Sequence, residues 1–193
     1  MKAQEFWMEF KKIFGEENPQ NRIDAINTWK NRGNFTKFII PKISDVFEKF
    51  AMKTQCEYYN VDLIAWTDKQ NDLPEQKAKK YKLKEHLWRL DAAVEHENDQ
   101  TDWTDELVKL LYINCDLRVV IGYVPADLET IDPVLEYASS VVKLADEDRS
   151  LIRDGQSFML ILGKNLADAS ELTSDTYSAY VFNTDSRAFE AIY

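Results

Sequence analysis

The stretch Leu87–Asn98, LWRLDAAVEHEN, decides how the chain is read. It is about one strand long and gathers small apolar residues, three carboxylates and one of the chain's 2 histidines. A β-strand alternates its side chains between two faces. A strand here sends Asp91, Ala93, Glu95 and Glu97 to one side and Leu90, Ala92, Val94 and His96 to the other. Same-face neighbours sit roughly 7 Å apart at about 3.4 Å per residue, so Glu95 and Glu97 can converge on one ion. Left unneutralised they repel, and a folded chain keeps such a pair for solvent, for a basic partner or for a hard cation held by carboxylate oxygens.

Working outward, Thr101 or Asp102 can cap a following helix whose apolar residues are Trp103, Leu107, Leu110 and Leu111. That helix carries Glu106 and Lys109 one turn apart, and Lys109 is close enough in sequence to reach back toward the glutamates. Upstream, Cys56–Thr67, CEYYNVDLIAWT, reads as one strand with Tyr58, Asn60, Asp62, Ile64 and Trp66 on one side. A carboxylate at Asp62, inside an aromatic and apolar run, is costly unless it is partnered or placed to work. An edge position open to water is the other reading. Between these strands, Asp68–Lys80 is polar, contains Pro74 and reads as a loop. Overlapping its end is the run KAKKYKLK, with Lys77, Lys79, Lys80, Lys82 and Lys84 uninterrupted by an acid. It is the expected contact for a polyanion; a solvated loop or an edge strand guarded by lysines accounts for it equally.

The flanks supply the rest of an α/β chain. Lys2–Phe14 carries Phe6, Trp7, Phe10, Ile13 and Phe14 at helical spacing, a second helix opens at Pro19 and stops near Asn31–Asn34, and a third follows Pro41 through Ile43, Val46, Phe47 and Phe50. Leu117–Val124 is a nearly continuous apolar run suited to a central strand covered on both faces. Asp132 and Pro133 begin a helix through Leu135, Tyr137, Val141, Val142 and Leu144. Phe158–Gly163 and Thr176–Asn183 read as further strands, and a short helical segment closes the chain at Tyr193. The expectation is a single domain over 1–193, with a helical extension at 1–41 packed on a core at 42–193 built around one mixed sheet.

Composition excludes several functions. With 193 residues, 45% of them hydrophobic, the chain can bury a real core. The formal net charge of −10 argues against coating nucleic acid through bulk electrostatics. The cysteines Cys56 and Cys115 have no CxxC spacing, so neither a zinc site nor a disulfide framework is indicated. No GxGxxG or GxxxxGK[ST] phosphate loop occurs, and no Ser/His/Asp arrangement is evident. The amino terminus mixes Lys and Glu into its apolar residues, and no run approaches the roughly 20 apolar residues of a membrane span, so a cytoplasmic protein is expected.

Asp62, Glu95, Glu97 and Lys109 therefore form the candidate set. Carboxylates from adjacent strands can bind Mg²⁺, and a nearby lysine can stabilise charge developing on a phosphodiester. The set resembles the PD-(D/E)XK nuclease superfamily, whose core is a helix, a meander of strands, a helix and a further strand, with an acid on one strand and a (D/E)xK triplet on the next. Asp62 resembles the first acid, and the fragment VEHEN resembles the strand of the triplet, with Glu95 as its acid. The likeness covers about Ile43–Val124. It implies a restriction-endonuclease-like mixed sheet flanked by helices, with Asp62, Glu95 and Glu97 as metal ligands and Mg²⁺-dependent cleavage of DNA. The triplet's lysine position is occupied by Glu97, and Lys109 is the candidate to supply the lysine from the following helix. Two functions follow: a Mg²⁺-dependent nuclease approached by DNA over Lys77–Lys84, or an inactive nuclease-like fold that binds a protein partner through its acidic surface. A third reading needs no site. An amphipathic strand facing solvent also alternates acids with alanines, and Lys109 would then pair with Asp105 or Glu106 on its own helix.

Overall fold

Apolar stripes place three helices before the first strand. The computed structural model describes residues 1–15, 18–29, 31–69, 88–167 and 172–193, with the side chain of residue 32 excepted. Helix α1 (Ala3–Lys12) buries Phe6, Trp7 and Phe10, and α2 (Pro19–Trp29) opens on a proline, whose missing N–H costs nothing at a helix start. Helix α3 (Arg32–Lys49) is capped by Asn31, whose side chain accepts a hydrogen bond from the Asn34 N–H. It does not wait for Pro41, as expected, but runs through it. Phe35, Ile39, Ile43 and Phe47 recur every four residues and are all fully buried, and this burial outweighs the one backbone donor that the proline removes. The division drawn between residues 41 and 42 thus falls inside a continuous helix.

Among the described residues seven strands then form one sheet in sequence order. Strands β1 (Lys53–Tyr58), β2 (Val61–Asp68) and β3 (Trp88–His96) make an antiparallel meander. Helix α4 (Trp103–Leu111) leads to β4 (Leu117–Pro125), parallel to β3, and α5 (Asp132–Ala145) leads to β5 (Ser157–Asn165), parallel to β4. Strands β6 (Tyr177–Asn183) and β7 (Ala188–Ile192) complete the sheet antiparallel. Helices α1 to α3 share an apolar core with one face of the sheet, and α4 and α5 share a second core with the other. The expected mixed sheet flanked by helices, with a helical N-terminal part, is the observed architecture. The lysine-rich run Lys77–Lys84 lies outside the described residues.

Three expectations about elements are corrected, and the helix expected from Asp132 is present with its buried face defined. Cys56–Thr67 is a hairpin rather than one strand, because Tyr59 and Asn60 both take left-handed backbone (φ 49° and 61°) and turn the chain in two residues. The chain ends in strand β7, not a helix, with Phe189 buried against Phe182 and Phe158. Helix α5 buries Ala138, Ser139 and Val142 and turns Tyr137 and Leu144 out, 63% and 80% exposed. In β3 the regular alternation breaks: Ala65 faces Ala92 but Trp66 faces Leu90, so Asp91 is an extra residue, a β-bulge. The bulge rotates Leu90 to the face of Trp66, away from Ala92 and Val94.

Two glycines are required by close approach. A Cβ on Gly122 of β4 would lie 2.6 Å from the Trp103 ring, and one on Gly163 of β5 would lie 2.7 and 2.8 Å from the rings of Tyr123 and Tyr177. Both rings are interior, so Gly163→Ala is expected to destabilise the protein by about 1–3 kcal/mol through overpacking. Gly33→Ala, in the first turn of α3 with nothing nearer than 3.8 Å, is expected to be neutral or stabilising. Denaturant unfolding of the two variants beside the parent checks the contrast.

Candidate active site

The pairing of β2 with β3 sets Leu63 opposite Val94 and Ile64 opposite Ala93, so one step further along Asp62 faces Glu95. On β3 the face shared by Ala93 and Glu95 is the one that α4 covers. The carboxyl of Glu95 is buried, 3% exposed, and α4 brings Lys109 to it, with Nζ 2.8 Å from Glu95 Oε1. The same ammonium reaches Glu106 Oε2 at 2.5 Å and donates to the backbone carbonyl of Asn60 at 3.0 Å. Lys109 therefore ties three pieces together: its own helix, the end of β3, and the hairpin turn that leads into Asp62. Asp62 Oδ2 accepts a hydrogen bond of 2.8 Å from the His96 N–H.

Three carboxyl groups thus crowd one ammonium, and their ionisation reflects it. Burial pushes Glu95 up to about 8; Lys109 pulls the other way, while Glu106 and Asp62 add to the rise. Asp62 is also raised, first by burial and against the His96 N–H. Lys109 is itself raised: burial opposes its charge, but the Glu106 and Glu95 carboxylates beside it prevail. The cluster has more acid than it can neutralise, which is the condition under which carboxyls hold protons or take up a cation.

Glu97 does not join this cluster. It follows the last residue of β3; its N–H bonds the Ile121 carbonyl at 2.9 Å, while its Oε1 accepts from the Asp99 N–H at 2.6 Å. Asp91, grouped with the acids by simple alternation, is paired with Arg89 at the bulge. His96 lies on the opposite face, 5% exposed, hydrogen-bonded through Nδ1 to Thr36 Oγ1 (3.2 Å) and through Nε2 to Tyr123 OH (3.0 Å). Burial drives its pKa down to about 3. Among the described residues no group of three or more His, Cys, Asp and Glu side chains could hold a metal ion, and no helix is long and apolar enough to cross a membrane.

One contributor, Arg118, went unassigned in the sequence, and a second, Glu106, is the partner on its own helix that was expected for Lys109. Glu106 is drawn in by its place one helical turn before Lys109. Arg118, 1% exposed in the apolar run of β4, donates through Nε to the carbonyls of Leu110 (3.0 Å) and Ile113 (2.8 Å), through Nη2 to Leu151 (3.1 Å) and through Nη1 to Gln156 Oε1 (3.2 Å). It holds the C-terminal end of α4, and so the helix that carries Lys109. A lone arginine amid Leu117–Val124 was the signal.

No protein-family model and no curated protein matches the chain. Among solved structures, the central domain of yeast acetyl-CoA carboxylase is similar over 96% of this chain at 13% identity and a TM-score of 0.45. The chain spans about a third (33%) of that structure's length. A likeness at that level carries no statement about function.

The titrations predict a stability profile with two falling arms. His96 is depressed from 6.5 to about 3, so the unfolded chain gains a proton that the folded one refuses, and stability falls as pH drops from 6.5 toward 3. Glu95 is raised from 4.5 to about 8, so stability falls as pH rises from 4.5 through 8. Melting temperatures measured across this range are expected to decline more gently on the alkaline side in Glu95→Gln.

Proposed function

We propose that Asp62, Glu95 and Lys109 form the centre of a divergent PD-(D/E)XK-type site that hydrolyses DNA phosphodiesters with a divalent cation. The observation that carries this reading is that acids from the start of β2 and the end of β3 face each other, with a lysine of the next helix 2.8 Å from the second. The surrounding order is α3, the meander β1 to β3, α4 and parallel β4, the order that the family resemblance implies. Lys109 is then the lysine that the triplet position, Glu97, does not provide.

The donor set suits a small hard cation. Mg²⁺ binds through one or two carboxylates and keeps several waters, so Asp62 and Glu95 would be its protein ligands. When bound it would supply a water of lowered pKa and offset the charge developing on phosphate. The two acids, both raised in pKa, would give up protons to receive it, so affinity would increase with pH up to about 8. Lys109 keeps its proton because two carboxylates favour its charged form, and it offers that charge to a phosphate oxygen. In the hydrolysis the water oxygen bonds to phosphorus, one ester P–O bond breaks, and the leaving oxygen takes up a proton.

A second reading has its own support. Glu97 folds back onto the Asp99 N–H, and Lys109 already occupies Glu95 within the chain. An inactive nuclease-like fold whose acidic surface, at net charge −10, binds a basic protein partner accommodates both facts.

Thermal melting with Mg²⁺ or Mn²⁺, followed by incubation with supercoiled, linear and single-stranded DNA, separates the two. The nuclease reading expects stabilisation by the cation that Asp62→Asn and Glu95→Gln abolish, cleavage that both abolish, and a loss of about 10²–10³-fold in rate for Lys109→Met. No cleavage of any of these substrates, together with a stable protein partner recovered from lysate, supports the interaction module instead.

A further inference from the structure

The face of the sheet that carries Asp62 and Glu95 also carries an aromatic slot. Gln55 and Tyr58 of β1, Ile64 and Trp66 of β2 and Trp88 of β3 line it, and none of the five is charged. Trp66 and Trp88 lie with ring centroids 6.0 Å apart at 59°, a tilted pair within the range that aromatic rings prefer. Trp88 is exposed, while Trp66 and Tyr58 are half-buried, so ring surface remains open to solvent. Trp88 reaches this face because of the bulge at Asp91: with unbroken alternation it would point with Ala92 and Val94 into the opposite core. Bulges that re-aim a side chain are found beside working sites.

The slot continues the candidate active site. Asp62, Ile64 and Trp66 share one side of β2, and Trp66 lies about 14 Å along the strand from Asp62 at about 3.4 Å per residue. We infer that the slot stacks an unpaired nucleobase, so that the chain engages single-stranded or locally unpaired nucleic acid, with a phosphate of the same strand at Asp62 and Glu95. This rests on the nuclease reading above. Bases in a duplex turn their faces to one another, and only an unpaired base can present a face to a tryptophan.

The test uses the full chain with Ca²⁺, a hard cation that carboxylates hold without the strict octahedral geometry of Mg²⁺, so that binding is read at the occupied site apart from Mg²⁺-dependent cleavage. Fluorescence anisotropy is followed with labelled oligo-dT, oligo-rU and a duplex of equal length. A single strand is expected to bind at least about tenfold tighter than the duplex, Trp88→Ala to lose about tenfold of that affinity, and Trp88→Phe to recover most of it. Trp66→Leu provides a second variant should Trp88→Ala fold poorly, and whichever of the deoxy and ribo strands binds tighter identifies the sugar. Equal affinity for duplex and single strand, no binding of either, or a single-strand affinity untouched by both tryptophan variants overturns the inference. So does a protein partner that competes for Trp88 while no oligonucleotide binds. Cleavage in Mg²⁺ that is unchanged in Trp88→Ala removes the slot and leaves the nuclease reading standing. Trp88-dependent single-strand binding without cleavage removes the nuclease reading and leaves the slot.

Discussion

A carboxyl taken out of water gives up its proton reluctantly, and burial pushes that of Glu95 up to about 8 even with Lys109 Nζ 2.8 Å away. Much of the molecule serves to keep that one ammonium in place. Gly122 lets Trp103 settle the first turn of α4 onto β4, because any Cβ there would strike the indole. Arg118 gathers carbonyls at the other end of the helix, donating to Leu110 and Ile113 while crossing to Leu151. Pinned at both ends, α4 presents Lys109 toward the turn at Asn60, whose carbonyl accepts from it. A surface ion pair between two long side chains contributes little, but one that closes a hairpin turn over a buried acid determines where the next acid, Asp62, lies.

Much of the fold was legible from the sequence where a single physical signal dominated. The apolar stripe of α1, the continuous run of β4 and the Asp132–Pro133 helix start each admit one reading, and the structure has all three. The elements that were misread are those where two signals compete. The turn at Tyr59–Asn60 carries no glycine, so left-handed backbone there was hidden within an otherwise strand-forming run. Pro41 signals a helix start locally, yet the burial of Phe35, Phe38, Ile39 and Ile40 ahead of it keeps the helix continuous. Residues 188–192, AFEAI, are too short for periodicity to choose between strand and helix, and pairing with β6 decides the matter.

Legibility of the candidate site has a similar limit. Alternation correctly separates Ala93 and Glu95 from Val94 and His96, because β3 is regular from Ala92 onward and pairs evenly with β4. It fails on either side. Upstream the bulge at Asp91 reverses the faces of Leu90 and Trp88, an event set by pairing with β2 and invisible in the strand itself. Downstream the strand ends at His96, so the rule that would set Glu97 beside Glu95 no longer operates, and the side chain turns to the Asp99 N–H instead. Lys109 could be anticipated from its place one turn after Glu106. What spacing could not convey was that both carboxylates would share it.

The step from Glu95 to His96 joins two chemistries that the sheet otherwise keeps apart. On one side lie charged groups beneath α4. On the other, His96 is held neutral between Thr36 of α3 and Tyr123, whose hydroxyl in turn meets that of Tyr177 at 3.3 Å. The backbone N–H of this same histidine is the donor that fixes Asp62. The imidazole thus anchors in the layer built by the N-terminal helices, where Trp29 of α2 packs edge-on against Tyr123 and Phe35 of α3 lies beside the ring. Any shift of that layer moves His96, and with it the hydrogen bond that positions the acid on the opposite face. The N-terminal helices are therefore part of the support of the site, although every charged group of the cluster comes from residues that follow them.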